Sequence, residues 1–216
     1  MDFSILIDYF GTFMEGFKGT VLSSLIALIG SFLLGAVIAV FRMGPVRGLR
    51  WFGTGYVEFV RNIPLLLIVY IFYYGPSALG SSLDGFTAGT IGLAVYTSAF
   101  IAEAIRAGIM AIPKGQTEAA RSSGLTYNQT MLHIILPQAI KLVIPPLGNQ
   151  FINLIKNSSV LTIVAGLDLM YFADIINTDT YRTFDTYIFV ALFYLVLTLP
   201  LSYGVRAWER RLQRKY

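Results

Sequence analysis

Twenty-three residues, Gly19 to Phe41, pass without a charged side chain. Wound as a helix, that run rises about 34 Å, enough to cross a hydrocarbon core of ~30 Å. Inside lipid no water is present to satisfy backbone N–H and C=O groups, so the run has to bond internally, as a helix does. Gly30 and Gly35 within it let a neighbouring helix approach closely. Further uncharged runs follow at Asn62–Leu83, Gly85–Ala102, Leu142–Ile155 and Thr186–Val205. The pattern predicts an all-α transmembrane fold with five membrane-spanning helices, roughly 19–41, 56–79, 86–110, 138–167 and 186–206, in a single domain over residues 1–216. Only 13% of the residues are charged, about half the usual share of a soluble domain.

The few basic residues set the orientation. Arg42–Arg61 holds four Lys or Arg, Arg106–Lys141 four, and the tail from Arg206 five, which puts thirteen of the sixteen on one side of the predicted spans. Basic residues accumulate on the cytoplasmic side, so the N-terminus is expected outside and the C-terminus inside. The positive charge belongs to this membrane pattern and gives no reason to expect nucleic acid as a partner. Asp2 and Asp8 stand where a signal peptide carries positive charge. The first fifteen residues are expected to form an interfacial amphipathic helix, with Phe3, Leu6, Ile7, Phe10 and Met14 on one side.

Residues 113–137 form the longest polar stretch in the middle of the chain. Pro113 suits a helix start, and Gly124 suits a helix end because glycine adopts the left-handed conformation without steric cost. Thr126 and Gln129 have the spacing of a capping box that opens a second helix. Within this helix–glycine–helix segment, Glu118-Ala119-Ala120, then Gly124, then Ile134-x-Leu136-Pro137 resemble the EAA loop of ABC importer permeases. Seven fixed positions make a chance match rarer than about one in 10⁷. YVEFVRNIPLLL (Tyr56–Leu67), TSAFIAEAIRAGI (Thr97–Ile109) and PPLGNQFINLIKNSS (Pro145–Ser159) are similar to the polar amino-acid branch of that family, which includes His, Arg, Gln and Glu permeases.

The resemblance implies a type I importer fold and a bacterial or archaeal plasma-membrane location. It also implies a homo- or heterodimer of permease subunits, a pair of ABC ATPase subunits that bind ATP-Mg, and an extracytoplasmic substrate-binding protein. The helix bearing Glu118 would be a coupling helix on the ATPase: Glu118 would make polar contact, Ala119 and Ala120 would allow close approach, and Gly124 would set the turn. The chain itself contains no G-x-x-x-x-G-K-[ST] phosphate loop, so no cofactor of its own is expected. With no cysteine and only His133, neither a metal cluster nor a Ser–His–Asp triad is expected.

Ionisable groups inside a membrane cost ~3 kcal/mol on insertion scales, and each needs a reason. Lys156 interrupts the fourth run and is followed by Asn157, Ser158 and Ser159. A helix broken there would present an ammonium and hydrogen-bonding groups to a passing carboxylate; a structural ion pair or snorkelling is the other reading. Glu103 either faces the path together with Ser98, or pairs with Arg106 at i, i+3. Glu58 and Arg61 repeat that spacing and are expected to pair. An ion-coupled secondary carrier or channel would suit the same intramembrane charges, but would have no use for the 113–137 loop.

Overall fold

The structure, a computed structural model, describes residues 3–213. Asp2, Arg214 and Lys215 lie outside the described residues. The chain folds into α1 (Ser4–Asp8), α2 (Phe10–Met43), α3 (Arg47–Asn62), α4 (Leu65–Ala78), α5 (Gly85–Met110), α6 (Lys114–Ser122), α7 (Tyr127–Thr130), α8 (Leu136–Asn157), α9 (Leu169–Thr180) and α10 (Thr183–Gln213). A π turn, Met131–Ile135, joins α7 to α8, and a 3₁₀ segment, Ser158–Val164, extends α8. No strand occurs among the described residues. Four segments are long and apolar enough to cross a membrane: Phe10–Met43, Gly85–Met110, Tyr127–Val164 and Thr183–Arg211.

The second predicted span is not one helix. α3 and α4 meet at 106° and qualify as a span only as a bent pair. Pro64 disfavours helical geometry in the residue before it, and Ile63 is extended at φ −105°, ψ 136°. α4 has fourteen residues and rises about 21 Å, too short to cross alone. α3 is two-faced, with Gly53, Val57 and Val60 buried and Trp51, Phe52 and Phe59 exposed.

The N-terminus also departs from expectation. Instead of a fifteen-residue interfacial helix, α1 spans five residues and α2 begins at Phe10. Ile5 and Phe13 are buried in a cluster with Leu169, Ala173, Ile176 and Phe189, which ties this end to α9 and α10, while Phe3, Ile7 and Phe10 stay exposed.

α5 lies at the centre. Just over half of its apolar window, 56%, is buried, against 17% for α10. Ala88, Ala99 and Ala102 keep its flanks thin, which permits the close packing that lipid-embedded helices require. Around Lys156 the chain tightens rather than unwinding: α8 passes into the 3₁₀ segment, and left-handed Ala165 (φ 55°) and Leu167 (φ 56°) turn it away. This turn lies directly on two glycines. A Cβ at Gly19 would sit 1.9 Å from the Leu167 carbonyl oxygen, and one at Gly85 would sit 1.7 Å from that of Val164.

After the turn comes α9, an element the sequence reading did not anticipate. Asp168 caps it, Oδ2 accepting the Met170 N–H at 3.0 Å, and Thr20 Oγ1 of α2 accepts the Leu169 N–H at 2.9 Å. Asp168 is fully buried and its Oδ1 has no partner. Burial pushes this carboxyl up to about 7, against the pull of the Met170 and Tyr171 N–H groups; nearby Asp174 adds to the rise. An unfolded aspartate titrates near ~3.9, so between about pH 4 and 7 the folded state holds a proton that the unfolded state lacks, and stability falls as pH rises through that window. Asp168→Asn should flatten this slope in thermal-melt midpoints of the detergent-solubilised protein. An unchanged slope would show that another group carries it.

Candidate functional site

Residues 113–137 fold as two short helices with a tightly determined join. Pro113 is the N-cap of α6. At the other end the Leu125 N–H donates to the Ala120 carbonyl (3.2 Å) and the Gly124 N–H to that of Arg121 (3.1 Å), the paired bonds of a Schellman cap. Gly124 sits at φ +84° with open space where a Cβ would point, so conformation and not crowding requires glycine. The capping box forms: the Thr126 N–H donates to Gln129 Oε1 (2.8 Å) and the Gln129 N–H to Thr126 Oγ1 (3.3 Å). Ala120 is buried, whereas Glu118 and Ala119 are exposed. Glu118 has no hydrogen bond or ion pair among the described residues, so α6 offers an open face with one unpaired carboxylate. The π turn that follows is a rare element, frequent at functional sites.

Below this loop, the ends of α2 and α5 are joined by charge. Arg42 Nη1 donates to Glu103 Oε2 at 2.5 Å, and Arg106 donates to Oε1 through Nη2 (2.6 Å) and to Oε2 through Nε (3.3 Å). Both oxygens of Glu103 are thus held by arginines and not turned to a cavity. The Arg106 pairing is the one its spacing predicts; the Arg42 bond, from sixty-one residues away, leaves no trace in the sequence. Glu58 and Arg61 form no ion pair among the described residues. Arg61 instead lies over the Phe100 ring, 5.4 Å from its centroid.

Lys156 and Asn157 line a recess of about 330 Å³ together with Thr97, Gln150 and Asn153, and Tyr96 and Phe100 also line it. Lys156 and Asn153 also border a second recess of similar size, shared with Asn149, Arg206 and Glu209. An exposed ammonium surrounded by amide groups provides the charge and donors that a carboxylate needs. Two other expected path residues face elsewhere. Ser98 is buried, its Oγ 2.6 Å from Tyr56 Oη and donating to the Val95 carbonyl (2.7 Å). Ser158 is buried and donates to the Ile155 carbonyl (2.8 Å). Thr97, next to Ser98, forms the wall in its place.

Residues 31–214 match the family described as binding-protein-dependent transport system inner membrane component. The chain belongs to this family. It is 64% identical over 216 residues, the whole of both chains, to a protein named probable glutamine ABC transporter permease protein GlnM of Bacillus subtilis (strain 168). It is 35% identical to the arginine transport system permease protein ArtQ of the same organism, over 99% of this chain and 98% of the relative. Among solved structures, an amino acid ABC transporter crystallised with histidines superposes with a TM-score of 0.93 at 39% identity, covering 98% of this chain and 99% of that one. The MetNI methionine transporter, at 19% identity and a TM-score of 0.70, shares the fold over 98% of this chain and 99% of its own. The chain is therefore a multi-pass permease component of an ABC importer in a bacterial membrane, and an ion-coupled carrier is disfavoured.

Lys156 lining both recesses makes its part in uptake testable. Lys156→Met should lower uptake efficiency roughly tenfold or more, the worth of one charged hydrogen bond, while leaving membrane assembly intact. Unchanged uptake kinetics, measured with radiolabelled substrate in proteoliposomes, would make Lys156 a structural residue.

Proposed function

We propose that this permease subunit carries a polar amino acid and is driven through its 113–137 loop by separate ATPase subunits. The observation that carries the reading is the open face of α6, where exposed Glu118 and Ala119 stand on a helix whose far end is fixed by the cap at Gly124. Such a helix can seat in a groove of a partner and move as a unit.

In this account two permease subunits, identical or related, form the path, and two ATPase subunits beneath them bind ATP-Mg. An extracytoplasmic binding protein delivers the amino acid, the N-terminus lies outside, and the C-terminus and loop face the cytosol. Closure of the ATPase pair on ATP draws the two loops together and turns the path outward as a rigid-body change. Lys156 and Asn157, with Asn153 and Gln150 beside them, meet the substrate α-carboxylate in passing. The glutamine and arginine transport named for the relatives supports a polar amino acid as cargo. The chain contributes no catalytic residue and no metal ligand.

Glu118→Lys tests the coupling face. The variant should insert and fold normally yet lose ATP-driven uptake, through failure to assemble with the ATPase or through hydrolysis without transport. Wild-type uptake by this variant would remove α6 from the coupling role.

A further inference from the structure

A recess of about 570 Å³ opens at the basic ends of α2 and α5, and it shares no lining residue with the recesses at Lys156. Three arginines line it, Arg42, Arg50 and Arg106, together with Met110, Tyr127 and Met131. Glu103 is the carboxylate that serves Arg42 and Arg106 together. Glu58 acts on Arg106 through space but does not line the recess. Arg50 has no ion pair among the described residues. The Arg42 side chain is only 7% exposed, and its Nε is enclosed without a hydrogen-bond partner. A buried guanidinium N–H without an acceptor is costly, and the recess beside it has an excess of positive charge.

We propose that this recess binds the phosphate of an anionic phospholipid headgroup. Guanidinium groups present forked donors that match phosphate oxygens, and here exposed Arg50 and the partly exposed Arg106, whose Nη1 Glu103 does not engage, supply donors at the recess. The surroundings favour a lipid over a soluble phosphate. α3 carries exposed Leu49, Trp51 and Phe52 alongside Arg47 and Arg50, and exposed Val46 is its N-cap, the composition of a helix that lies at the headgroup level. Basic pockets between membrane helices are places where anionic headgroups are held. Met43, Met110 and Met131 offer an apolar lining for the glycerol and the first methylenes. Because Tyr127 and Met131 belong to the second half of the 113–137 segment, a bound headgroup would tie the root of that loop to the ends of α2 and α5.

Trp51 is a built-in reporter, since Trp208 is the other tryptophan of the chain. The full-length Trp208→Phe protein is reconstituted in vesicles of phosphatidylcholine and phosphatidylglycerol at equal mole fraction, with the bromine quencher on one lipid or the other. Brominated phosphatidylglycerol should quench Trp51 more strongly than brominated phosphatidylcholine. Adding Arg50→Gln should cut that preference roughly fivefold, with the helical circular dichroism unchanged. Arg50→Lys should retain part of it, because the charge remains and the fork is lost. Equal quenching by the two lipids, or a preference unaffected by Arg50→Gln, would overturn the site. Abolition of the preference by inorganic phosphate at constant ionic strength would identify a soluble anion as the occupant and overturn the lipid assignment.

Discussion

Apolar helices gain nothing by hiding from water inside the hydrocarbon, so what holds them together there is close backbone approach. In this protein that approach is concentrated where the left-handed turn after the 3₁₀ segment lies on Gly19 of α2 and Gly85 of α5. Neither position has room for a single added carbon. The contact sets how far α8 and its extension can travel before the chain reverses into α9, and so places Lys156 beside α5 rather than in lipid. At the other end of the same helices, Arg42, Glu103 and Arg106 hold α2 to α5 by charge. Size discrimination at one end and charge pairing at the other make these helices a rigid frame.

Under the proposed function, that frame would let a displacement of the 113–137 loop reach the spans. The segment that starts the fourth span also forms the second half of the 113–137 loop: α7, the π turn, α8 and the 3₁₀ segment run continuously for thirty-eight residues. A displacement applied to α6 passes through the capped join at Gly124 and Thr126 into a helix that ends at Lys156 and Asn157. The polar recess and the second half of the 113–137 loop lie at two ends of one continuous helical segment. Mechanical continuity, rather than a chemical intermediate, links them.

Much of this was legible in the sequence because local chemistry decided it. Uncharged runs marked the long helices, since charge is excluded from lipid irrespective of tertiary contacts. Gly124, Thr126 and Gln129 marked the loop, since caps depend on residues only three or four apart. What escaped depended on distance or on facing. The Arg42–Glu103 bond joins residues that nothing nearby connects. Ser98 and Thr97 are adjacent and similar, yet about 100° apart around the helix, and only packing shows that Thr97 meets the recess. α9 is too short and too mixed to register as a span. Pro64 marks the break between α3 and α4, and the span expected over residues 56–79 ran across it. Lys156 and Asn157 stood out in the sequence, since charge and amides are costly in a span, whereas the grouping of Gln150 and Asn153 with them beside Thr97 of α5 is visible only in the packing.

The central claim is that free energy enters as a movement of α6 carried rigidly into the spans. The most direct test is the distance between nitroxides placed at Gly115, an open position on α6, in the two permease copies of the assembled transporter, measured by pulsed electron resonance with and without bound ATP. The account predicts that the distance shortens when ATP binds and recovers after hydrolysis. An unchanged distance in a preparation that still transports its substrate would contradict it.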